Sequence, residues 1–226
     1  MTIRSFVLRQ GRMTAGQERA FSDYWPSWGI DITAETNLNS RAIFGDDREL
    51  VLEIGFGNGE SFLDMAEAAP EKGFIGIEVH RPGVGHALLG IAERGLTNVR
   101  LICHDAAVVV RDHMADDTLS RVQIYFPDPW PKARHHKRRI IQKPFTDLLY
   151  RKLRTGGELH CATDWENYAE WMQEVFANES KWVNLGGSDG FAPRPEWRPL
   201  TKFEQRGLNK GHGVWDLRYQ ANKMES

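Results

Sequence analysis

Short apolar runs alternate with amphipathic stretches along most of this chain, and this alternation constrains the fold more than any other feature. Five runs have the length and composition of buried parallel strands, at 49–54, 74–79, 99–103, 122–126 and 158–162. Helical patterns follow four of them, over 61–69, 85–94, 144–153 and 165–178. Strands and helices that alternate in this way predict an α/β domain with a mainly parallel sheet and right-handed crossovers.

The length of 226 residues suits one large domain with a small addition. We assign residues 46–226 to that domain. Residues 1–45 carry a basic start and an amphipathic stretch over 17–25, but no core of their own, so we expect an arm and a helix there. Two late strands are predicted on either side of a long loop, 186–213. Loops of this length in a compact domain are usually functional or disordered.

Composition excludes several classes of protein. The hydrophobic fraction of 41% and the charged fraction of 27% are those of a globular protein. No apolar stretch approaches the roughly 18 residues of a membrane span, and the start lacks the apolar region of a signal peptide. The two cysteines, Cys103 and Cys161, lie in apolar runs, where buried free thiols are expected. We therefore expect a cytoplasmic protein that has no membrane partner and no bound metal.

The first predicted strand ends in a glycine-rich loop that follows an acidic residue, Glu53. The glycines occupy alternate positions, Gly55, Gly57 and Gly59. Glycines there allow a sharp turn and the close approach of a flat ligand. A dinucleotide fingerprint would need a glycine in place of Glu60, so a pyrophosphate site is not favoured. Glu78 and Asp105 follow the second and third strands, and acids at the carboxyl ends of successive strands indicate a ligand site at that edge.

The fourth predicted strand leads into Phe126-Pro127-Asp128-Pro129-Trp130-Pro131. The prolines fix the backbone on both sides of Asp128 and present its carboxylate rigidly, while Trp130 offers a flat face to a base. The next eight residues, 132–139, contain five Lys or Arg and two His, and we call them the basic segment. Because the formal net charge of the chain is only −2, this segment is a local feature. Its position beside the predicted ligand site favours contact with an RNA backbone.

The stretch from Phe126 to Lys132, followed by His135-His136-Lys137-Arg138-Arg139, resembles the signature of the bacterial tRNA (guanine-N7)-methyltransferases, which are class I S-adenosylmethionine-dependent methyltransferases. Other segments are similar to that family: Arg4-Ser5-Phe6 with Arg9, Gly11, Arg12 and Gln17, the loop from Glu53 to Gly59, Thr163-Asp164, and Thr201-Lys202-Phe203-Glu204. The resemblance extends over nearly the whole chain. The acids and glycines alone resemble the wider superfamily, and the Asp-Pro-Trp stretch with its basic tail narrows the resemblance to this family.

For the fold, the resemblance implies a Rossmann-like class I methyltransferase. Its mainly parallel, twisted sheet has the order 3-2-1-4-5-7-6 with the last strand antiparallel and helices on both faces. For the activity, it implies transfer of the methyl group of S-adenosyl-L-methionine to N7 of a guanosine in the tRNA variable loop, at position forty-six. The products are N7-methylguanosine and S-adenosyl-L-homocysteine. The expected partner is tRNA, which residues 1–45 would face, and we expect a monomer or homodimer with no obligate protein partner.

The resemblance also implies roles for individual residues. Contacts with the cofactor are implied for Glu53, Gly55, Gly57, Gly59, Glu78, Asp105 and Asp128. Asp128 is in addition the implied catalytic residue. Contacts with the substrate guanosine are implied for Lys132, Asp164, Thr201, Lys202, Phe203 and Glu204. Contacts with RNA are implied for Arg134, His135, His136, Lys137, Arg138 and Arg139.

Other interpretations stay open from the residues alone. A methyltransferase that acts on an exocyclic amine of RNA could also use an Asp-Pro-aromatic turn, with the acid accepting a hydrogen bond from the amine. A non-catalytic RNA-binding module would explain the basic segment, but not the glycine loop with acids on three strands. Thr163 and Glu166 have the spacing of a capping box for the next helix, which is a structural alternative for the neighbourhood of Asp164.

Overall fold

The computed structural model of the protein describes residues 11–201, 204–205 and 213–223. Its strands are β1 (Leu50–Ile54), β2 (Gly73–Ile77), β3 (Val99–Ile102), β4 (Leu119–Tyr125), β5 (Leu153–Thr163), β6 (Trp182–Asn184) and β7 (Trp215–Ala221). The helices that lie wholly within these ranges are α1 (Ala15–Trp28), α2 (Ser40–Phe44), α3 (Glu60–Ala68), α4 (Arg81–Arg94), α5 (Ala106–His113), α6 (Lys143–Lys152) and α7 (Glu166–Phe176), with a 3₁₀ helix over Ala133–Arg138.

The strands form one sheet in the order β3-β2-β1-β4-β5-β7-β6. The five strands β1 to β5 pair in parallel. β7 runs antiparallel to both β5 and β6. This order and the antiparallel last strand confirm the predicted Rossmann-like arrangement. The strand order reverses between β1 and β4, and in open α/β sheets ligands bind outside the carboxyl ends of the strands at such a reversal.

Helices cover both faces of the sheet, as predicted. Val51 of β1 packs into a core with α1, α3 and α4, whereas its neighbour Leu52 packs into a core with α5, α6 and α7. All residues of β1 and β2 are buried. Strands without a polar face are typical of a parallel sheet that is covered on both sides, which is why these segments form continuous apolar runs in the sequence.

Helix α5 is not predicted from the sequence. Its three consecutive valines have low helix propensity, because branching at Cβ restricts the side chain against the preceding turn. In the structure, the Asp105 side chain caps the helix by accepting a hydrogen bond from the Ala107 amide (2.9 Å). Val109 and Val110 are completely buried. Tertiary packing and the cap therefore override the weak local propensity.

Helix α4 begins at Arg81, earlier than the predicted start at Gly85. Its glycines weaken the helical pattern in the sequence, but the packing requires one of them. A Cβ atom on Gly83 would lie 2.2 Å from the carbonyl oxygen of Gly57. This close approach places the start of α4 directly against the glycine loop.

Helix α1 packs on α4. The Gln17 side chain donates a hydrogen bond to the Pro82 carbonyl (3.0 Å), and the Trp28 indole donates one to the Leu96 carbonyl (2.8 Å). α1 thus packs into the same core as α3 and α4. Residues 1–10 lie outside the described residues, and the prediction that the N-terminal part faces RNA stays a prediction.

Both cysteines are free thiols, as expected. Cys161 is buried, but Cys103 is only half-buried and lines a surface cavity with α1 residues such as Phe21 and Trp25. Burial raises the pKa of both thiols. Of the helices described, none combines the length and apolar character needed to cross a membrane.

Candidate active site

A cavity of about 380 Å³ opens at the carboxyl ends of β1, β2 and β4. Three of the predicted cofactor residues line it: Gly55, Glu78 and Asp128. The other four do not form part of its wall: Glu53, Gly57, Gly59 and Asp105. Further lining residues that the sequence does not predict include His80, His104 and Ile140. The two histidines follow the ends of β2 and β3, and this position is the signal by which the sequence could have indicated them.

Glu78 connects the glycine loop to the end of β2 through hydrogen bonds. Its Oε2 accepts a hydrogen bond from the Gly57 amide (2.9 Å), and its Oε1 accepts from the amides of Val79 (2.7 Å) and His80 (3.0 Å). Gly55 and Gly57 have φ angles of 76° and 63°, which favour glycine, and open space surrounds the position of a Cβ at each. Because each carboxylate oxygen accepts two hydrogen bonds, Oε2 of Glu78 can also accept a ligand hydroxyl.

Glu53 is buried next to the cavity, with 4% of its surface exposed. Within the described part of the chain, its Oε2 makes no hydrogen bond. Burial raises the pKa of Glu53 to about 8, against the smaller opposing effect of Arg121. A buried carboxyl group with an unpaired oxygen fits a ligand that brings a positive charge close to it, because that charge favours the ionised form.

Asp105 has a structural role in addition to its predicted one, since it caps α5. Its neighbour His104 lines the cavity instead. A contact between Asp105 and a cofactor therefore stays a prediction. No group of three or more His, Cys, Asp or Glu side chains in the described ranges is arranged to hold a metal ion.

Asp128 lies in a strained turn at the cavity. Phe126 and Trp130, on either side of it, have φ angles of 50° and 45°, a conformation that costs on the order of 1–3 kcal/mol for a residue other than glycine. The Phe126 amide donates a hydrogen bond to the Ala162 carbonyl (2.8 Å), which ties the start of the turn to β5. Asp128 itself is exposed and lines the cavity. The turn therefore presents one carboxylate to the cavity from a constrained backbone.

Arg139 holds the far side of this turn. Its Nε donates a hydrogen bond to the Pro129 carbonyl (2.9 Å), and its Nη2 donates to Asn167 Oδ1 (2.8 Å). Its guanidinium lies 4.8 Å from the ring centre of Tyr168 and 5.2 Å from that of Trp171. Only 1% of Arg139 is exposed, so its side chain faces the protein interior and not solvent. An RNA contact of this residue stays a prediction. The sequence shows a run of cations, but not which of them turns inward.

The basic segment forms the 3₁₀ helix and its flanks. Its exposed cations are Lys132, Arg134 and Lys137. The guanidinium of Arg138 lies over the Trp130 ring, 5.0 Å from its centre. His135 and His136 are half-buried and pack edge-on against Trp130 and Trp171 respectively. Three cations of the segment thus face solvent, whereas its other two arginines and its two histidines pack against aromatic rings.

Asp164 is half-buried directly after β5, the strand beside the one that leads to Asp128. Thr163 accepts a hydrogen bond from the Trp165 amide (3.2 Å). α7 begins at Glu166, and its N-cap residue makes no capping hydrogen bond through a side chain. The alternative of a capping box between Thr163 and Glu166 is therefore wrong, and a substrate contact of Asp164 stays a prediction.

Glu204 is buried, with 2% of its surface exposed. Arg198 donates two parallel hydrogen bonds to its carboxylate, both of 2.7 Å. Thr201 Oγ1 accepts a hydrogen bond from the Glu204 amide (3.1 Å). A guanosine contact of Glu204 is thus restricted to the lone pairs that Arg198 leaves unused. Lys202 and Phe203 lie outside the described residues, and their predicted contacts remain predictions.

Comparison with known proteins shows the family. Residues 47–217 match the model of a family described as "Putative methyltransferase". The chain is 54% identical over 96% of its length to the tRNA (guanine-N(7)-)-methyltransferase of Alcanivorax borkumensis, of which it covers 91%. It is 52% identical over 98% of its length to the protein of that name from Salmonella choleraesuis, and covers 92% of it. It is 54% identical over 95% of its length to the protein of that name from Aeromonas hydrophila, and covers 90% of it.

Solved structures support the fold. The antibiotic-resistance methyltransferase Kmr superposes with a TM-score of 0.58 at 14% identity, over 87% of this chain and 96% of that one. The 16S rRNA methyltransferase KamB superposes with a TM-score of 0.57 at 14% identity, over 85% of this chain and 99% of that one. At identities this low, the superpositions show a shared fold and nothing more. The strand order of this chain agrees with that fold. The matches in sequence, with which this fold agrees, show that the chain belongs to the tRNA (guanine-N(7)-)-methyltransferase family.

Proposed function

We propose that this protein transfers the methyl group of S-adenosyl-L-methionine to N7 of a guanosine in the variable loop of tRNA, at position forty-six, in the cytoplasm. The products are N7-methylguanosine in tRNA and S-adenosyl-L-homocysteine. The observation that carries the proposal is the Asp128 turn, in which an exposed carboxylate sits on a constrained backbone at the cavity. The activity for which the relatives are named supports the same reaction.

The residues around the cavity fit S-adenosylmethionine. Glu78 keeps a lone pair for ribose hydroxyls, and the glycine loop leaves open space at Gly55 and Gly57. The buried carboxyl group of Glu53, which has an unpaired oxygen, suits a neighbour that carries positive charge. When bound, this cofactor supplies an electrophilic methyl group on a positively charged sulfur.

Positioning is the main task that this reaction sets for the protein. Guanine N7 carries a lone pair in the plane of the ring and no proton, so no general base is needed to create the nucleophile. The attacking nitrogen and the methyl group have to be held in line at close distance, which can supply several kcal/mol of the acceleration. A turn constrained at Phe126, Pro129 and Trp130 suits this role, since a flexible loop would lose that alignment.

Asp128 has a second task, because methylation at N7 leaves a positive charge on the guanine ring. A carboxylate already in place stabilises such a developing charge without reorganisation. We assign this electrostatic role to Asp128, the carboxylate that lines the cavity from the turn. To Asp164, which follows the neighbouring strand, we assign the role of accepting hydrogen bonds from N1 and N2 of guanine, which are donors that adenine lacks.

The basic segment serves to bind the tRNA backbone. Lys132, Arg134 and Lys137 face solvent next to the Asp128 turn, and cations neutralise phosphates with an affinity that falls as salt rises. Bases in single-stranded loops can be splayed out and stacked, which supports a loop guanosine as the substrate.

A labelling experiment tests the proposed reaction. The purified protein is incubated with radiolabelled S-adenosylmethionine and unmodified tRNA transcripts, and the methyl group is located by strand cleavage selective for N7-methylguanosine. We expect label at one guanosine of the variable loop. Label on an exocyclic amine would replace the proposal by the alternative methyltransferase reaction, and absence of label despite measurable cofactor binding would refute the proposed substrate.

A further inference from the structure

Arg198 is the centre of a buried polar cluster that the mechanism above does not use. Only 1% of the residue is exposed. Its guanidinium donates to both carboxylate oxygens of Glu204 and, through Nε and Nη2, to both oxygens of Asp216 at 2.9 Å. Two bidentate pairs on one arginine fix the positions of two carboxylates at once, because the planar fork matches the geometry of each.

The cluster continues to the wall of the cavity. Asp216 Oδ1 accepts a hydrogen bond from His160 Nε2 (2.6 Å), and the Tyr125 hydroxyl donates to His160 Nδ1 (2.8 Å). Burial lowers the pKa of His160, against the opposing effect of Asp216, and so favours the neutral ring. A neutral ring with its proton on Nε2 donates to the carboxylate and accepts from Tyr125. Tyr125 in turn lines the cavity. A continuous chain of hydrogen bonds, buried except at Tyr125, thus runs from Glu204 to a residue of the cavity wall.

Arg198 also contacts the start of the Asp128 turn directly. Its guanidinium carbon lies 5.6 Å from the ring centre of Tyr125 and 5.8 Å from that of Phe126. Phe126 is the left-handed residue with which the turn begins. One side chain therefore packs against the element that carries the catalytic carboxylate while it binds Glu204, a residue with an implied role in guanosine binding.

Stability alone does not account for this arrangement. Burial of one guanidinium with two carboxylates carries a desolvation cost that apolar residues of similar volume would avoid, and such clusters are weak evidence for stability. Fixed geometry is what they supply, since every member has a defined partner. The cluster joins two parts of the chain that are far apart in sequence, Phe126 on one side and Glu204 on the other.

We propose that Arg198 is a positioning residue for methyl transfer, which holds Glu204 and Thr201 in register with the Asp128 turn so that the base and the cofactor meet in line. The inference rests on the proposed function, because it names how the substrate side and the cofactor side of that site are aligned. Asp216 and His160 act through Arg198 and Tyr125 and keep the guanidinium in place.

The variant Arg198→Lys tests the proposal, because lysine keeps the positive charge but lacks the planar guanidinium that makes the two bidentate pairs. Binding of S-adenosylhomocysteine should stay as in the wild type, whereas kcat/KM for tRNA should fall about 100-fold, as displacement of a substrate by about 1 Å can cause. Arg218→Lys is the matched control. Arg218 forms the same kind of fork with Glu158 (2.6 and 2.9 Å) on β7 and β5, and its replacement should change kcat/KM by less than about twofold.

Two readouts separate positioning from general destabilisation. If Arg198 acts through Glu204, the loss in Arg198→Lys combined with Glu204→Gln should be no larger than the greater of the two single losses, because contacting residues of one network are not additive. Hydrogen exchange at the amides of Glu204 and Gln205, which donate to Thr201, should accelerate in Arg198→Lys but not in Arg218→Lys. This second readout does not depend on activity.

The proposal is overturned if folded Arg198→Lys keeps wild-type kcat/KM, if its loss adds fully to that of Glu204→Gln, or if amide exchange is unchanged. If Arg198→Lys does not fold, Asp216→Asn is measured in its place. That change removes a charge partner of Arg198 at constant volume, and the same pattern is expected. Failure of the proposed function has a different signature, namely a wild-type protein that does not methylate guanine N7.

Discussion

Asp128 is the side chain on which the proposed charge stabilisation depends. Asp128→Asn keeps the shape of the turn but removes the negative charge, so we predict that kcat falls about 100-fold, the effect of losing one preorganised electrostatic group. Affinity for S-adenosylhomocysteine, measured by titration calorimetry, should change far less. Asp112→Asn is the control, because Asp112 is exposed on α5 and pairs with its neighbour Arg111. Full turnover of Asp128→Asn at saturating cofactor would show that the residue only orients the substrate.

Glu53 gives a prediction about pH. Burial raises the pKa of Glu53 from its ordinary value of 4.5 to about 8, so between these values the folded protein holds a proton that the unfolded chain has released. The free energy of unfolding should therefore decrease as pH rises through this window, by up to about 1.4 kcal/mol per pH unit from this group. Glu53→Gln removes the effect.

The measurement is the denaturation midpoint of both proteins without cofactor at pH 5, 6.5 and 8. These values are chosen to span the window between the two pKa values of Glu53. The stability of Glu53→Gln relative to wild type should rise steadily across the series. A constant difference would mean that Glu53 is already ionised in the folded protein.

The sequence does not show in which direction a side chain points. The positions of Asp128 and Glu78 after strands predict a place at the ligand site, and both line the cavity. Resemblance assigns Arg139 to RNA and Glu204 to guanosine, yet both are buried. Their burial depends on partners such as Arg198 that are close in space but carry no recognisable pattern in the chain.

The 3₁₀ helix and its flanks carry the exposed cations to which we assign tRNA binding. Replacement of Lys132, Arg134 and Lys137 by alanine should weaken tRNA binding and flatten its dependence on salt. The slope of log K against log salt should change by about 0.7 to 0.9 for each phosphate that is no longer neutralised. Cofactor binding should be unchanged. Arg151→Ala, which removes an exposed cation on α6, serves as the control. An unchanged slope would show that the three cations are solvated and do not bind phosphates.

Elements with a strong pattern are predictable from the sequence, and those that depend on packing are not. The strands of the parallel sheet are recognisable because burial on both faces leaves them uniformly apolar. α5 is not, since its valines favour a strand and only the Asp105 cap and the core make it helical. In the long late loop, Ala192 forms an isolated antiparallel bridge with Asp216, a contact that no local signal predicts.

The strand order of the whole sheet explains why the sequence predicts the location of the site but not its individual contacts. Parallel strands bring the glycine loop, Glu78 and the Asp128 turn to one edge of the sheet where the order reverses, so topology alone sets the place of the cavity. The link from that edge to Glu204 passes through β5 and β7, by way of His160 and Asp216. This link depends on the antiparallel last strand and is visible only in three dimensions.

If the nucleophile is the N7 lone pair of one variable-loop guanosine, removal of that atom should abolish methyl transfer. A tRNA with 7-deazaguanosine at this single position keeps the base-pairing edge and the shape of the base but has a C–H group in place of N7. We predict that it binds with the affinity of the guanosine tRNA and accepts no methyl group from labelled S-adenosylmethionine. Methylation of the 7-deazaguanosine tRNA at the same rate as the guanosine tRNA would show that N7 is not the nucleophile.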